Sequence, residues 1–221
     1  MLSPILLLAC ANVSDIEDGR QLNSVVTVKD WFTSAYLLPT DAGPVMIDAG
    51  YRSRNMTGAL ADQGVDPADV VGVLLTHGHT DHIGAVEIYT NAQLYALPDE
   101  QGILDEESSG EVVIDVPLTD GEILTIGQHS IEVIGVPGHT PGSAVFLIDG
   151  VVLMGDTALV TKDGTIEPPD EKYSEDPEEA EASLKVLAEA LQSRSDEIDW
   201  IAPAHSGPTA GVDALVEFAG L

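Results

Sequence analysis

The sequence predicts a layered α/β domain in which strands and helices are mixed along the chain. Two observations favour this class over a helical bundle or an all-β barrel. Short β-rich runs are interspersed with amphipathic segments, and some apolar runs are continuous, as in strands that are covered on both faces. Hydrophobic residues make up 44% of the 221 residues, which is enough for a proper core. The length favours one domain.

The first half of the chain is predicted to begin with strands. The Asp-Ala-Gly-Pro segment at 41–44 supplies a turn between the second and third of them. The run at 70–75 is apolar throughout, which indicates a strand that is buried on both faces. In order, the predicted elements are strands at 24–29, 32–38 and 45–47, a helix at about 54–63, a strand at 70–75 and a helix at about 82–89.

The second half contains two Asp-Gly pairs, at 120–121 and 149–150. Each pair predicts a hairpin between antiparallel strands, because Asp-Gly suits a tight two-residue turn. The second pair separates the apolar runs 144–148 and 151–154, so it predicts the pairing of these two runs.

A helix signal follows near the C-terminus. Asp176 is an N-cap residue type, Pro177 suits the first helical position, and two glutamates follow in the first turn. The amphipathic pattern continues to about Leu191. A strand at 200–203 and a helix from about Thr209 complete the prediction.

The chain is strongly acidic: 38 Asp and Glu residues against 8 Lys and Arg residues give a formal charge of −30. Nucleic acids are bound mainly through Lys and Arg, so this balance argues against a nucleic-acid partner. The acidity is interpreted as a strongly solvated surface, as in salt-adapted proteins. Anionic substrates need local positive charge. Arg52 and Arg54 are candidates to meet a substrate carboxylate, and the alternative is that they only face solvent, as most such residues do.

The N-terminus is a short apolar run that ends at Ala9 and is followed by Cys10, the only cysteine. This segment resembles the signal peptide of a bacterial lipoprotein. The resemblance implies that Cys10 is the lipid anchor, that residues 1–23 comprise the signal and a polar tether, and that the folded domain covers 24–221. It predicts a protein of the bacterial cell envelope, lipid-anchored or periplasmic. The alternative is an ordinary N-terminus on a cytoplasmic protein, since no Lys or Arg precedes the apolar run.

Histidines are concentrated where apolar strands are predicted to end. The densest cluster follows the buried run and contains His77, His79, Asp81 and His82. Residues two apart in an extended segment face the same way, so His77 and His79 can bind one ion. Asp81 and His82, beyond a turn, are placed for a second ion. Four potential ligands within six residues favour a metal site over buried structural histidines.

Three further candidate ligands occur singly at later strand ends: His139, Asp156 and His205. A single cysteine excludes a zinc site built from thiolates, so the ligands are imidazoles and carboxylates. Five histidines and two aspartates are too many for one catalytic ion, which usually has three protein ligands. The set predicts two ions that share a bridging carboxylate and a solvent molecule. His129 belongs to no motif and is predicted not to be a ligand.

The order His-x-His-x-Asp-His, lone His, Gly-Asp and final His resembles the metallo-β-lactamase-fold hydrolases, over about 24–221. The early motif of that family is present as Met-Ile-Asp-Ala-Gly at 46–50. The resemblance implies a four-layer αββα sandwich of two mixed β-sheets, with helices on the outer faces and the site at one edge. It also implies a ligand set. His77, His79 and His139 hold the first ion, Asp81, His82 and His205 hold the second, Asp156 bridges both, and Asp48 supports the site from behind.

The predicted function is hydrolysis by two divalent ions, Zn²⁺ in the first place, with Fe or Mn as alternatives. A metal-bridging hydroxide attacks a carbonyl carbon of a small-molecule substrate, and Asp81 orients that solvent and accepts its proton. Thiolates and activated alkoxides leave without much protonation, so thioesters, lactones and related esters rank above amides. Asp156, with no cysteine near it, resembles the glyoxalase-II-like (hydroxyacylglutathione hydrolase-like) branch without its C-terminal glutathione-binding segment.

Three alternatives remain open. A mononuclear iron persulfide dioxygenase could use His77, His139 and Asp156 as its iron ligands. The other two are β-lactam hydrolysis and a non-catalytic, metal-bound envelope protein. The segment 161–174 is interpreted either as a lid over the site or as a passive surface loop.

Overall fold

Two β-sheets lie face to face in the computed structural model, which describes residues 12–221. Within these residues the first sheet has seven strands in chain order: β1 (Gln21–Leu22), β2 (Val25–Asp30), β3 (Thr33–Leu38), β4 (Val45–Ile47), β5 (Gly72–Leu74), β6 (Gln93–Ala96) and β7 (Val116–Pro117). The second sheet, in the same part of the chain, has six: β8 (Ile123–Ile126), β9 (His129–Gly135), β10 (Ala144–Ile148), β11 (Val151–Gly155), β14 (Trp200–Pro203) and β15 (Thr209–Ala210). Their spatial order is β15-β14-β11-β10-β9-β8, and β12 (Leu159–Val160) and β13 (Ile166–Glu167) form a separate hairpin.

Helices cover the outer face of each sheet. The α-helices in the described residues are α1 (Ser53–Asp62), α2 (Thr80–Ile83), α3 (Gln101–Ser108), α4 (Pro177–Gln192) and α5 (Asp213–Ala219). Apolar residues of α1, α2 and α3 pack in one core cluster with the first sheet, and those of α4 and α5 pack with the second. A third cluster lies between the sheets. The expected four-layer αββα sandwich is confirmed.

The continuous apolar runs are explained by burial of both strand faces. In β10, Phe146 and Ile148 pack between the sheets, whereas Val145 and Leu147 pack in the cluster that contains α4. All five residues of β10 are buried, and so are all five of β11. Successive side chains point to opposite faces, so a strand in the middle of four layers must be apolar at every position.

The predicted turn at Asp149-Gly150 is confirmed. Both residues have positive φ angles, 47° and 84°, and they join the antiparallel strands β10 and β11. The hairpin predicted at Asp120-Gly121 is wrong, because this turn connects β7 of the first sheet to β8 of the second. The Asp120 carboxylate accepts a hydrogen bond from the backbone N–H of Gly135, at 2.7 Å, which ties the turn to the second sheet.

The helix predicted at 82–89 is replaced by α2 and a separate 3-10 turn at Val86–Ile88. Gly84 lies against the backbone of Tyr51, where an added Cβ would be 2.3 Å from the Tyr51 carbonyl oxygen. The N–H of Ala85 donates to the carbonyl of Gly50, at 3.1 Å, instead of continuing the helix. The chain therefore leaves the helix to pack against the loop that follows β4.

Near the C-terminus, the N-cap prediction is confirmed. The Asp176 carboxylate accepts a hydrogen bond from the N–H of Glu179, at 3.0 Å, at the start of α4. The last helix begins at Asp213 rather than near Thr209, because Thr209 and Ala210 pair with β14 as an edge strand.

The folded unit begins before Ser24, which corrects the predicted domain boundary. Val13 forms a β-bridge with Thr161, and the Ser14 hydroxyl donates to the carbonyl of Gly207, at 3.0 Å. Residues 12–23 therefore pack on the domain and do not form a free tether. Cys10 and the apolar signal lie outside the described residues, and the lipid anchor stays a prediction. None of the described helices is long and apolar enough to cross a bilayer.

Five strands run in the same direction and end at one edge of the sandwich. β4 and β5 are parallel, and β11 and β14 are parallel. β9 and β11 both pair antiparallel with β10, so they also share a direction. The segments that follow these strands, including the short helix α2, contain every predicted ligand, which positions the site at this edge.

Candidate metal centre

The first group of ligand atoms is a triangle of imidazole nitrogens. The Nε2 of His77 is 3.1 Å from the Nδ1 of His79, and the Nε2 of His139 lies 3.3 Å and 3.1 Å from these two atoms. With zinc–nitrogen bonds of about 2.0–2.1 Å, the edge of a tetrahedron is roughly 3.3 Å. The spacing therefore suits three ligands of one tetrahedral ion.

The second group consists of Asp81, His82 and His205, whose ligand atoms also cluster. The Oδ2 of Asp81 is 3.1 Å from the Nε2 of His205 and 3.8 Å from the Nε2 of His82. The Asp81 side chain is 21% exposed and that of His205 is 23% exposed, whereas His82 is fully buried. Two of the three side chains in this group are therefore open to solvent, compared with one, His79, in the first group.

Asp156 lies between the two groups. Its Oδ1 is 3.1 Å from the Nε2 of His82, and its Oδ2 is 3.0 Å from the Nε2 of His205. The same Oδ2 is 3.7 Å from His139 and 3.9 Å from His77. The structure thus brings together all seven predicted ligands, with the predicted bridging carboxylate at the centre.

A glycine allows this approach. Gly155, at the end of β11, has a φ of +53°, and an added Cβ would be 2.4 Å from the hydroxyl oxygen of Thr76. A larger residue would separate the loop after β5 from the loop after β11. The glycine of the Gly-Asp motif is therefore required by the close contact between the two sheets.

Two buried acceptors face each other inside the site, and they provide a test of whether a cation fits. The Oδ2 of Asp48 is 2.8 Å from the Nδ1 of His82, so the Nδ1 donates its proton to this carboxylate. The Nε2 of His82 then presents a lone pair to the Oδ1 of Asp156, and neither atom has a hydrogen-bond partner among residues 12–221. Two buried acceptors at this distance repel unless a proton or a metal cation lies between them. The donor set therefore fits a divalent metal ion.

Asp48 is held in place by its own network behind the ligands. It has a φ of +62°, which is unusual for a residue other than glycine. Its carboxylate also accepts hydrogen bonds from the N–H and the hydroxyl of Thr76, both at 2.8 Å. The Asp48 carboxylate thus orients the His82 ring and fixes the start of the ligand loop.

Burial and charge divide the histidines into two kinds. Burial lowers the pKa of His77 well below its ordinary value and that of His139 to about 4, so these imidazoles are neutral and can bind a metal. Burial also disfavours charge on His82 and His205, but neighbouring carboxylates outweigh it and raise the pKa of His205 to about 10. Carboxylates that attract a proton this strongly attract a metal cation for the same reason.

An aromatic rim borders the second group. The Phe32 ring stacks on the His205 ring, with 5.6 Å between centroids and an interplanar angle of 13°. Trp31, 46% exposed, occupies the two-residue turn between β2 and β3 and stacks on Tyr51. The Arg52 guanidinium lies 4.5 Å from the centroid of the Trp31 ring and 5.0 Å from that of Tyr51. A guanidinium is thus held on a flat aromatic surface beside the candidate metal site.

Trp31, Phe32 and the buried carboxylate of Asp30 behind them were not among the residues predicted from the sequence. Asp30 accepts hydrogen bonds from the N–H groups of Tyr51 and Arg52 and from the side chain of Asn55. It thereby fastens the turn to the start of α1. The feature of the sequence that could have indicated them is the pair of large aromatic residues in a two-residue turn, because such turns usually contain Gly, Asn or Asp.

The remaining predicted residues lie as follows. His129 is apart from the cluster: its Nδ1 is 2.6 Å from Asp149, and its Nε2 is 3.2 Å from the carbonyl of Pro39. The last residue of the segment 161–174 lies at the site, because the Ser174 hydroxyl is 3.3 Å from the Nδ1 of His139. This segment therefore borders the first group of ligands.

Comparison with known proteins identifies relatives by sequence. A model of the metallo-beta-lactamase superfamily matches residues 28–205. Metallo-beta-lactamase domain-containing protein 1 of Xenopus laevis is 32% identical over 171 residues, which cover 74% of this chain and 66% of that protein. A hydroxyacylglutathione hydrolase of Pseudomonas fluorescens (strain SBW25) is 32% identical over 153 residues, which cover 68% of this chain and 49% of that protein. The chain thus spans between about half and two thirds of the length of these relatives.

Solved structures show the same fold. The chain is similar to a B3 metallo-beta-lactamase described as having an active-site glutamic acid, with a TM-score of 0.70, 19% identity and coverage of 97% of this chain and 90% of that one. It is also similar to BJP-1, a subclass B3 metallo-beta-lactamase of Bradyrhizobium japonicum, with a TM-score of 0.67, 19% identity and coverage of 96% and 93%.

Proposed function

The chain belongs to the metallo-beta-lactamase superfamily, and from this membership and the geometry of the site we propose that it is a dinuclear, zinc-dependent hydrolase of ester-type bonds. The observation that carries the proposal is the position of Asp156. Its two oxygens face different groups of ligands, and one of them opposes the lone pair of His82 at 3.1 Å. A carboxylate so placed is suited to bridge two cations.

The ligands divide between the two ions as the distances indicate. His77, His79 and His139 would hold the first ion, and Asp81, His82 and His205 the second, with Asp156 common to both. Zinc suits a site of imidazoles and carboxylates, and iron and manganese are the alternatives. Divalent ions here would polarise a substrate carbonyl and lower the pKa of a water molecule towards neutrality.

Side chains around the ions would position the attacking water and accept its proton. Asp81 is on the solvent-exposed side, with its Oδ2 3.1 Å from the Nε2 of His205, so it can orient the attacking water and accept its proton. A thiolate or activated alkoxide leaves without much protonation, so these residues suffice for a thioester or lactone. The relatives named hydroxyacylglutathione hydrolase support a thioester as the first substrate to try.

Arg52 is proposed to bind a carboxylate on the substrate. Its guanidinium lies on two aromatic rings, and no carboxylate forms an ion pair with it in the described part of the chain. In a protein with a formal charge of −30, an unpaired cation beside the site counteracts the repulsion of anionic substrates. A planar guanidinium also matches the two oxygens of a carboxylate.

Replacing Arg52 is expected to weaken substrate binding. Arg52→Ala should raise KM for a carboxylate-bearing ester by about tenfold, because a hydrogen bond to a charged group contributes roughly 1.5–3 kcal/mol. The value of kcat should remain within about twofold, since the arginine does not touch the reacting atoms. Steady-state kinetics with a charged ester and its neutral methyl-ester analogue measure the effect. Arg54→Ala, a change at a neighbouring exposed arginine, is the control, and an equal rise in KM for both esters would contradict the assignment.

Metal analysis and a substrate panel test the whole proposal. Purified protein should contain close to two zinc ions per chain, and the zinc-loaded enzyme should hydrolyse a thioester or lactone faster than a β-lactam or phosphodiester. Iron content together with oxygen uptake on glutathione persulfide would support the mononuclear alternative instead. Failure of fully loaded protein to hydrolyse any member of the panel would contradict a hydrolase.

A further inference from the structure

A buried glutamate lies beneath the first group of ligands and has no role in the proposed chemistry. Glu100, at the end of the 3-10 turn Pro98–Glu100 before α3, is 0% exposed. Its Oε1 accepts a hydrogen bond from the N–H of Gly78, at 2.7 Å. Its Oε2 accepts two more, from the Thr140 hydroxyl at 2.7 Å and from the N–H of Gly142 at 2.9 Å.

The partners of this one side chain belong to loops from different sheets. Gly78 lies between His77 and His79 in the loop after β5 of the first sheet. Thr140 follows His139 in the loop after β9 of the second sheet. The two carboxylate oxygens therefore join the loop that carries two ligands of the first group to the loop that carries the third.

The close packing around the carboxylate depends on two glycines. An added Cβ on Gly78 would be 2.9 Å from the Cδ2 of Leu104 and 3.1 Å from the Oε1 of Glu100. An added Cβ on Gly142 would be 2.4 Å from the backbone nitrogen of Glu100. The loop at Gly142 thus lies directly against the main chain of Glu100, and the loop at Gly78 lies against the side chains of Glu100 and Leu104.

The surroundings of Glu100 favour a charged acceptor. Each of the three groups that contact its oxygens can donate a hydrogen, and two of them are backbone N–H groups that can do nothing else. Burial raises the pKa of Glu100, and the hydrogen bonds from Thr140, Gly78 and Gly142 oppose that rise. A charged carboxylate is stable in a buried position only when several hydrogen-bond donors contact its oxygens.

We propose that Glu100 is a positioning residue that holds the two ligand loops at the spacing required by the first metal ion. This inference rests on the proposed metal site. By joining Gly78 to Thr140 and Gly142, the Glu100 carboxylate keeps the three imidazole nitrogens 3.1–3.3 Å apart. Glu100 makes no hydrogen bond to Asp81, His82 or His205 and affects His82 only through its charge, so the larger effect is expected at the first ion.

The variant Glu100→Gln tests the inference with little change in shape. An amide can accept on one side only, so its NH₂ group must face the donors of one of the two loops. We expect the affinity for the first zinc ion to fall 10- to 100-fold, as for other groups that orient metal ligands. Affinity for the second ion should change less than threefold. Both are measured by competition with a chromophoric chelator, and the absorption spectrum of Co²⁺ bound at the first site should change as well.

Matched variants separate positioning from general stability. Glu107→Gln is the control, because Glu107 lies on α3 and accepts a hydrogen bond from Thr80 of the same ligand loop, but at the exposed surface. It should retain wild-type affinity for both ions. Thr140→Val removes one hydrogen-bond donor and leaves the charge of Glu100 in place. It should produce a smaller loss of affinity, again selective for the first ion, and it provides the test if Glu100→Gln does not fold.

Two results would overturn the inference. One is wild-type affinity of Glu100→Gln for the first ion. The other is an equal loss for both ions together with a lower melting temperature of the metal-free protein, which would mean that Glu100 only stabilises the fold. The proposed hydrolase fails by a different result, the absence of turnover in fully loaded wild-type protein, and that result leaves the affinity comparison intact.

Discussion

Asp156→Asn is expected to remove most of the metal and nearly all of the activity. The substitution replaces the oxygens that face His82 and His205, at 3.1 Å and 3.0 Å, by one neutral acceptor and one NH₂ donor. The amide cannot bridge two cations, and its NH₂ group faces a metal ligand. We expect fewer than one zinc ion per chain and a loss in kcat/KM on the order of 10²–10³. Metal content by mass spectrometry and thioester hydrolysis are the measurements.

Asp149→Asn provides a matched control for this change. Asp149 also pairs with a histidine, His129, at 2.6 Å, but the pair lies outside the metal cluster. The metal content and turnover of Asp149→Asn should equal those of the wild type. If Asp156→Asn retained two zinc ions and full turnover, the bridging assignment would be incorrect.

Removal of metal is expected to lower the thermal stability strongly. Each group of ligands combines residues from both sheets, so the ions stabilise only the folded arrangement. With free zinc at about 1,000 times its Kd, binding contributes roughly 4 kcal/mol to the free energy of unfolding. For a chain of this length that corresponds to a shift in Tm of about 10 °C. Differential scanning calorimetry with zinc and with excess EDTA measures the shift.

The same scan on Asp156→Asn serves as the control. Because this variant is expected to bind little metal, EDTA should hardly change its Tm. An identical Tm for wild-type protein with zinc and with EDTA would indicate that the cluster binds no ion tightly.

The location of the site could be predicted from the sequence because its ligands share a simple local signature. His77, His139, Asp156 and His205 each follow an apolar strand, and strands that run in one direction end at one edge. Asp48 follows β4 in the same way, and its contact with His82 agrees with the support inferred from the family motif. In each case the strand and the polar residue are adjacent in the sequence, so a local pattern is enough to predict both.

Glu100 and the aromatic rim could not be found in this way, because their roles arise from distant contacts. Glu100 lies 22 residues from Gly78 and 42 from Gly142, and no pattern around it differs from an ordinary acidic helix start. Phe32 and His205 lie near opposite ends of the domain's sequence, yet their rings stack. Pairings of this kind depend on how the two sheets pack, which a local pattern does not specify.

The errors in element prediction have a similar cause. The segment at 82–89 has helical character, but Gly84 must pass the backbone of Tyr51, and that contact interrupts the helix. The segment 12–23 is polar, which predicted a tether, but the Ser14 backbone and side chain bond to residues near positions 160 and 207. In both places tertiary packing outweighs local preference.

The distribution of ligands over the two sheets has a consequence for biosynthesis. A nascent polypeptide that has emerged only as far as β9 already contains His77, His79, Asp81 and His82, but it lacks His139 and His205, which complete the two groups. The first group is complete only after His139 and the shared Asp156 have been made, and the second only after His205 has been made. We therefore expect metal to be bound in its final geometry only after both halves of the sandwich have been synthesised and have docked.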